Sequence, residues 1–559
     1  MHSQKVMKEP ALWILALLLA FSGYLAVSRL YQVDEAQTVY MASVLARGWQ
    51  GSLMTSGQLH LFPLSLLVRP HMTSSETFLA FRLAFWGLFW VNAALVVMAA
   101  GVRLRSQAGL RALVLAGTLA PWWAYGLECR HDNILMTCTL LFWILGRRTL
   151  SWPRVPVYFG LGALALLTQA CLFKSIATWA PLSVLLLLLE PASWARRGVL
   201  AACWSGGAAI IALLTHGILA RAGLLGSASG GAGALGMALA LGRIMPTQAL
   251  EQLLRTAPLL ATAMVALLVH AFLVLQRRGI RAAGEGRGMP ELFLFLVGVL
   301  AFLANPTPFP YNLAVLSGLA MVAILALGAP WLETGAFAGL ASAPYLLTAG
   351  LVLHVLPLAA RVSELVQMDN DRQEELMAMA EAYTGPEDPV FDAIGLVPTR
   401  KGPSFFWFIN LTNVQAFSET SMTGTWAGRI PPVLMPSYRF NYLQPADLAF
   451  LRDNYVCLRK DFYVLGQILS KGNGGNRTWN CLRSGRYGVV PLEPDAPGLN
   501  LDGVRQGPGI QWVTAGSHVL SIPSGSPCAL VWVGPTATSL PELRPTEGMD
   551  SVCPVPMAF

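Results

Sequence analysis

The chain has 559 residues, of which 12% are charged and 55% are apolar, and its formal net charge is +8. The charged share is near half of the roughly 25% that is usual in globular domains, which argues against an ordinary soluble protein. Long apolar runs recur along the chain and indicate one membrane-spanning helix after another. This composition excludes collagen-like, disordered and nucleic-acid-binding chains.

The excess of positive charge belongs to the first two thirds of the chain. Residues 1–360 contain 23 Lys or Arg and 11 acidic residues, whereas residues 361–559 contain 15 and 19. The basic residues of the first part lie in short segments between apolar runs, where they set the orientation of membrane helices. The isoelectric point of about 9.1 is therefore no evidence for a nucleic-acid partner.

Apolar runs bounded by Pro, Gly and charged residues predict about eleven transmembrane helices. The first run lacks a small-residue cleavage site, so we expect it to be retained as a signal anchor. The predicted spans lie near residues 11–28, 77–101, 110–124, 133–146, 156–173, 175–189, 199–220, 257–276, 290–304, 311–328 and 338–357.

Basic residues are concentrated in alternate connections between these spans. By the positive-inside rule these connections are cytoplasmic, so the N-terminus is predicted to be cytoplasmic and the last 200 residues or so periplasmic, with compact loops that favour a bacterial inner membrane. The basic residues of the predicted cytoplasmic side are Lys5, Lys8, Arg103, Arg105, Arg111, Arg147, Arg148, Arg154, Arg196, Arg197, Arg277, Arg278, Arg281 and Arg287.

Two regions are predicted to fold outside the membrane. One is a first outer loop of about residues 29–76, which belongs to a transmembrane domain of residues 1–357. The other is a domain of residues 358–559, where a mixed polar helix is followed by short β-rich runs such as YVCLRKDFYVLG and CALVWVG. We expect α/β structure that passes into a small β-sandwich, and the sequence leaves open whether it binds glycan or is a passive scaffold.

Four of the eight cysteines lie in the predicted periplasmic domain. An oxidising compartment would allow two disulfides among them in any of three pairings. Proximity in the sequence favours Cys457 with Cys481 and Cys528 with Cys553.

An acidic pair, Asp34 and Glu35, follows the first predicted span directly. Placing ionisable groups near the bilayer costs free energy, which favours a functional role for this pair. The alternative interpretation is an ordinary pair of solvated loop residues. Further outer turns carry more polar groups: Glu128, Arg130, His131 and Asp132 before the span at 133–146, Lys174 before the span at 175–189, and Tyr311 and Asn312 before the span at 311–328. Two carboxylates with Arg and Lys suit a reaction in which a base activates a hydroxyl while cations stabilise a departing phosphate.

The ordered set of these motifs resembles the polytopic glycosyltransferases of the GT-C superfamily, especially the protein O-mannosyltransferases and the lipid A aminoarabinose transferases. The resemblance covers roughly residues 25–190 and a short segment near 309. It is carried by DEAQTVYMASVLARG, GQLHLFPLSLLV, FRLAFWGL, LECRHDNILMTCTLLFWILGRR, LFKSIATWAPLSVLLLL and FPYNLAVLSGLA.

The resemblance implies inverting transfer of a sugar from a polyprenyl-phosphate donor to a hydroxyl of a glycan, lipid or protein on the extracytoplasmic face. Asp34 would be the general base, and Glu35 would orient it. Arg130 and Lys174 would bind the lipid phosphate. The remaining candidates for binding substrate are Glu128, Asp132, Tyr311 and His60, for which helix capping or anchoring at the interface is the competing explanation.

Two further matters stay open on the sequence alone. A divalent metal bridged by the carboxylates is compatible with the resemblance, although the sequence contains no metal-ligand spacing that requires one. The alternative function is a transporter or flippase of a lipid-linked or anionic substrate, although the chain lacks the paired halves with matching broken helices that are typical of alternating access.

Overall fold

The computed structural model describes most of the chain. The described residues are 10–49, 59–148, 154–171, 175–190, 192–221, 245–278, 288–305, 309–334, 343–404, 407–409, 421–426, 428–469, 476–493, 498–522, 527–541 and 543.

Within these ranges the chain is mainly helical up to residue 383 and β-rich beyond it. The helices are α1 (Pro10–Ser28), α2 (Val33–Ala46), α3 (Leu61–Ser65), α4 (Ser74–Ala99), α5 (Gln107–Gly117), α6 (Ala120–Tyr125), α7 (His131–Arg148), α8 (Arg154–Cys171), α9 (Ile176–Leu189), α10 (Trp194–Arg221), α11 (Met245–Thr256), α12 (Pro258–Arg278), α13 (Met289–Ala304), α14 (Leu313–Thr334), α15 (Ala343–Gln367), α16 (Asp371–Tyr383) and α17 (Pro445–Asn454).

Six helices among the described residues are long and apolar enough to cross a membrane, namely α1, α4, α8, α10, α12 and α14. Two shorter apolar helices, α9 and α13, accompany them. The prediction of a polytopic helical membrane protein is confirmed at this level. The predicted single span over residues 110–124 is instead two helices, α5 and α6, because Pro121 begins a new helix just after Thr118 and Leu119.

The chain forms two compact units. The first contains Met1–Arg29, Thr55–Pro63 and Ala80–Asp369, and therefore most of the apolar helices. The second contains Leu30–Met54, Leu64–Leu79 and Asn370–Phe559, so most of the predicted first outer loop folds with the C-terminal region. The predicted domain boundary after residue 357 falls inside α15, which continues through Pro357 to Gln367.

Close packing of small residues joins α8 to α10 in the first unit. A Cβ atom on Gly162 would lie 1.8 Å from the carbonyl oxygen of Trp204, and one on Gly207 would lie 1.9 Å from that of Phe159. Only glycine allows the two backbones to approach so closely, as is common between helices in membranes.

Two sheets form the β-rich part of the second unit. The strands are β1 (Val390–Phe391), β2 (Val433–Leu434), β3 (Tyr455–Arg459), β4 (Phe462–Leu469), β5 (Arg477–Cys481), β6 (Gly485–Pro491), β7 (Leu499–Leu501), β8 (Val504–Gln506), β9 (Gly509–Val513), β10 (Gly516–Ser521) and β11 (Cys528–Trp532). The larger sheet has the order β1-β2-β4-β11-β6-β9, with β3 also paired to β4, and the smaller has the order β5-β10-β7-β8. The β1–β2 pair is parallel and the others are antiparallel.

The predicted disulfide between Cys457 and Cys481 is wrong. Cys481 is a buried free thiol whose Sγ lies 3.2 Å from the carbonyl oxygen of Arg483. It lies on β5 of the smaller sheet, whereas Cys457 lies on β3 of the larger one, a separation that proximity in the sequence does not reveal. Cys528 is also a buried free thiol, and its predicted partner Cys553 lies outside the described residues.

A buried carboxylate fixes the turn of residues 421–426 to α17 in the second unit. Asp447 is fully buried and accepts hydrogen bonds from the hydroxyl of Ser421, the amide of Met422 at 3.0 Å, and the amide and hydroxyl of Thr423 at 2.9 and 2.7 Å. Without the Asp447 carboxylate each of these donors would have no acceptor. The conformation of the turn should therefore depend strongly on this one side chain.

We expect Asp447→Ala to weaken the turn by about 2 to 4 kcal/mol, since buried donors without acceptors cost about 1 to 3 kcal/mol each. Hydrogen exchange of the Met422 and Thr423 amides should then be faster by a factor of roughly 30 or more. The control is Asp453→Ala, an exposed residue on the same helix. Equal exchange rates in the two variants would contradict this role for Asp447.

Candidate functional site

The loop between α6 and α7 in the first unit is held in one conformation by a buried amide. The side-chain nitrogen of Asn133 donates to the carbonyl oxygens of Tyr125, Gly126 and Glu128 at 3.1, 3.2 and 2.9 Å. The carbonyl of Asn133 in turn accepts from the side chain of Asn92 on α4 at 3.1 Å. These bonds satisfy carbonyl groups that have no helical partner at the end of α6. They also fix the backbone that carries Glu128, Arg130 and Asp132.

Four buried charged residues, Arg29, Glu128, Arg130 and Asp132, meet at this loop, and we call them the polar cluster. Arg29 donates to Oε1 of Glu128, whose Oε2 lies 3.5 Å from Nη1 of Arg130. Nε of Arg130 lies 3.5 Å from Oδ2 of Asp132. Each of the four side chains is at most 6% exposed. Two guanidinium groups thus share two carboxylates out of contact with water, where electrostatic interactions are strong.

An aromatic ring covers the guanidinium of Arg130. Cζ of Arg130 lies 3.7 Å from the centre of the Tyr311 ring, which stands in the short helical turn Pro310–Asn312. The ring of Tyr125 lies edge-on to Tyr311 at 6.4 Å, and the Tyr125 hydroxyl accepts from the amide of Gln252 on α11 at 2.7 Å. Stacking on a tyrosine fixes the plane of the guanidinium and leaves its delocalised charge in place.

The structure brings together several of the residues proposed from the sequence. Glu128, Arg130, Asp132 and Tyr311 are brought together, and His131 lies beside them with Nε2 at 3.6 Å from Oδ2 of Asp132. Lys174 lies outside the described residues.

Two arginines of this region were not identified as site residues from the sequence. Arg29 ends the first apolar run, where the sequence suggests only a loop charge, yet it is 3% exposed. Arg82 is 2% exposed within α4 and donates to the carbonyl oxygen of Arg29. The signal for Arg82 is present in the sequence, since a charged residue inside an apolar membrane helix marks a functional or structural site.

His60 lies in the first unit near the same residues. Its ring centre is 6.2 Å from that of His131, and the side chain is buried. Burial, together with the repulsion of a charge on His131, lowers the pKa of His60 from 6.5 to about 4. His60 is therefore neutral at physiological pH and would act as a hydrogen-bonding group there.

This pKa predicts a loss of stability in acid. Because the folded pKa is below the unfolded one, only the unfolded chain takes up this proton between about pH 6.5 and 4, which costs up to about 3 kcal/mol of stability as the pH falls. We expect His60→Gln to reduce the fall in melting temperature between pH 7 and pH 4.5. His71→Gln, at an exposed histidine, is the matched control. A fall in melting temperature as steep in His60→Gln as in the wild type would contradict the assignment.

Asp34 and Glu35 lie in the first turn of α2, in the second unit. Glu35 is fully buried, and its Oε2 accepts from the backbone amide of Gln32 at 3.3 Å, so it closes a capping box. Asp34 is partly exposed, and the hydroxyl of Thr38 donates to its backbone oxygen at 2.9 Å. The positive end of the helix dipole stabilises a negative charge at this position.

The C-terminal region of the second unit anchors α2 at both ends. The amide of Tyr31 donates to Oε1 of Gln373 at 2.7 Å, the amide of Gln373 donates back to the carbonyl of Tyr31 at 3.0 Å, and the Tyr31 hydroxyl donates to Glu374 at 2.8 Å. Further along α2, the Tyr40 hydroxyl accepts from the amide of Gly402 at 2.6 Å. Asp34 is therefore presented by a helix that is fixed in place.

Tyr438 and Arg439, from the short turn Tyr438–Tyr442, are a second pair that the sequence did not reveal. The pKa of the Tyr438 phenol is raised, mainly by burial. The nearby charge of Arg439 lowers this pKa, and that of the Asp34 carboxylate raises it further. Cζ of Arg439 lies 4.8, 5.7 and 5.8 Å from the ring centres of Tyr438, Phe408 and Tyr442. A phenol and an aromatic-flanked guanidinium are groups that commonly bind sugar hydroxyls and phosphates.

Among the residues that the structure describes, no group of three or more His, Cys, Asp or Glu side chains is arranged to hold a metal ion. No protein-family model matches the sequence, and no curated protein is significantly similar to it.

Proposed function

We propose that the protein is a membrane glycosyltransferase that transfers a sugar from a polyprenyl-phosphate donor to a hydroxyl acceptor, with inversion at the anomeric carbon. The single observation that carries this proposal is the polar cluster, in which Arg130 is held against Tyr311 in a protein built of membrane helices. The resemblance of the surrounding motifs to the GT-C glycosyltransferases supplies the reaction type.

The first part of the reaction is binding of the donor phosphate, which we assign to Arg130. A guanidinium presents five N–H donors in a planar fork that matches phosphate oxygens. Glu128 and Asp132 keep this group oriented through contacts of 3.5 Å each, and Tyr311 fixes its plane. Lys174, on the strength of the resemblance, would add a second cation. In a site from which water is excluded, such a charge is effective when it faces the oxygen on which negative charge develops.

The second part is activation of the acceptor, which we assign to Asp34. Its carboxylate accepts the proton of the acceptor hydroxyl as that oxygen forms a bond to the anomeric carbon. The bond between the anomeric carbon and the phosphate oxygen breaks, and its electron pair leaves with the polyprenyl phosphate. Because the acceptor enters on the face opposite the phosphate, the configuration inverts. Phosphate is a good leaving group, so no general acid is needed.

The remaining candidates have supporting roles in this scheme. Glu35 caps α2 and so orients Asp34. Glu128 couples Arg29 to Arg130. His60 and Asp132 contribute hydrogen-bonding groups for sugar or phosphate. The acceptor is a hydroxyl of an envelope glycan, a lipid or a protein.

We place the reaction on the extracytoplasmic face of a bacterial inner membrane, with a cytoplasmic N-terminus. Sugar nucleotides are cytoplasmic, so a transferase that faces outward requires a donor delivered on a lipid. The distribution of basic residues over the short connections supports this orientation.

Mass spectrometry of membrane lipids and envelope glycans tests the proposal in cells. Cells that carry the wild-type protein should contain one class of lipid, glycan or protein with an added hexose or pentose that is missing from cells without the gene. Cells that carry an Asp34→Asn variant are the control, because they contain the membrane protein but should lack its transferase activity. A difference between these cells and wild-type cells is therefore due to catalysis. Identical glycan profiles under conditions in which the protein is expressed would count against a glycosyltransferase.

A further inference from the structure

A cavity with three charged residues in its wall lies in the first unit, away from the polar cluster. Its volume is about 510 Å³, within the roughly 300–1,000 Å³ of small-molecule sites. Residues from the end of α4, the turn after it, α7 and α13 line the cavity, and the charged ones are Arg103, Arg147 and Glu291.

The cavity and the polar cluster stand at opposite ends of α7. Arg130 directly precedes this helix and Arg147 is its last residue but one. At a rise of 1.5 Å per residue the two positions are about 25 Å apart along the helix axis, which is most of the thickness of a hydrocarbon core. The cavity is therefore well separated from Arg130, and ligand binding there is independent of sugar transfer.

The backbone that carries Arg103 is fixed by a tight helix end. At the end of α4 the amide of Val102 donates to the carbonyl of Val97 at 3.2 Å, and Gly101 has a φ of +74°. This arrangement is the Schellman motif, in which a glycine adopts the left-handed conformation. Ser106 then donates to the carbonyl of Arg103 through its amide at 3.0 Å and through its hydroxyl at 2.7 Å. The position of Arg103 at the rim is thus built into the fold.

Charge and polarity in the cavity fit one class of ligand. Arg103 is exposed, and the Arg147 side chain is 35% exposed with its Nε 3.5 Å from Oε1 of Glu291. The two guanidinium groups and one carboxylate leave a net charge of +1. Apolar residues such as Val102 and Ile144 form the rest of the wall. A singly charged phosphate diester attached to an apolar chain matches both the charge and the wall, whereas a free phosphate has no apolar part to contact the wall.

We propose that this cavity binds the phosphodiester headgroup of an anionic membrane lipid. Arg103 and Arg147 bind the phosphate oxygens, and Glu291 competes with the ligand for Arg147. A phosphate in solution offers the same oxygens, so the experiment must separate the two sources.

The test is a binding titration of the purified, delipidated full-length protein by native mass spectrometry. The probes are dioleoylphosphatidylglycerol, dioleoylphosphatidylcholine and inorganic phosphate. We expect phosphatidylglycerol to bind tightest, with affinity reduced about tenfold or more in the Arg103→Gln/Arg147→Gln double variant. The matched control is Arg105→Gln, an exposed arginine in the same turn that does not line the cavity.

A third variant separates a binding effect from a folding effect. Glu291→Gln removes the carboxylate that competes for Arg147, so it should strengthen phosphatidylglycerol binding severalfold. A loss of folding would weaken binding in both Glu291→Gln and the double variant, so it cannot explain opposite changes. Equal affinity for phosphatidylglycerol and phosphatidylcholine, or a double variant within twofold of the wild type, would overturn the proposal. Saturable binding of inorganic phosphate with no preference for phosphatidylglycerol would overturn the lipid as the ligand.

Discussion

Asp34→Asn is expected to lower sugar transfer by a factor of about 10² to 10⁴, the usual contribution of a general base. The amide keeps the size of the side chain and its place in the first turn of α2, but it cannot accept the acceptor proton. Folding and membrane insertion should be unchanged, because the structure gives the role of capping α2 to Glu35. The measurement is the rate of sugar transfer by the purified variant at saturating donor and acceptor.

Glu76→Gln is the matched control for Asp34→Asn. Glu76 also lies in the second unit and in the first turn of a helix, where it accepts from the Thr73 amide at 2.8 Å, but it is far along the chain from the motif. We expect this variant to transfer sugar at the wild-type rate. If a well-folded Asp34→Asn variant kept a tenth or more of the wild-type rate, Asp34 would not be the base.

Arg130→Gln is expected to lower transfer by a factor of about 10² to 10³, as the loss of one donor to a developing negative charge typically does. The loss should appear in kcat as well as in the affinity for the donor, because the phosphate gains charge as the glycosidic bond breaks. Arg130→Lys should recover part of the activity, since it restores the charge but not the planar fork. Steady-state kinetics with varied donor separate the two parameters.

Two controls accompany Arg130→Gln. Arg69→Gln removes an exposed arginine from the predicted outer loop and should leave transfer unchanged. Tyr311→Phe keeps the ring that covers the guanidinium at 3.7 Å and should be nearly as active as the wild type, whereas Tyr311→Leu should lose part of the activity of the site. If Arg130→Gln raised only the KM for the acceptor, the assignment of Arg130 to the donor phosphate would be wrong.

The part of the polar cluster that could be predicted is the part that is local in sequence. Glu128, Arg130 and Asp132 lie within five residues, so any turn between two helices brings them near one another. Arg29 reaches Glu128 from 99 residues away, and a single sequence carries no record of that pairing. The Pro-rich outer turn and the resemblance both point to Tyr311 as a substrate-binding residue, but neither predicts that its ring covers a guanidinium.

The fold shows the same division between local and distant information. Apolar runs predict a polytopic helical membrane protein, which the structure confirms, but they do not predict the break between α5 and α6 at Pro121. Pro357 is predicted to end the transmembrane domain, but α15 continues through it to Gln367. Helices tolerate proline where neighbouring groups satisfy the freed backbone groups. Strand pairing places Cys457 and Cys481 in different sheets, so these two cysteines do not form the predicted disulfide.

Reconstitution of the purified protein in lipid vesicles with a polyprenyl-phosphate sugar, labelled in both the sugar and the phosphate, is the most direct test of sugar transfer. We predict release of labelled polyprenyl phosphate together with an equal amount of sugar joined to a hydroxyl acceptor with inverted configuration. In Asp34→Asn the rates at which both products form should fall together, by the factor of about 10² to 10⁴ expected for the loss of a general base. Movement of the intact labelled donor across the bilayer without any new covalent bond would contradict sugar transfer and would identify a transporter.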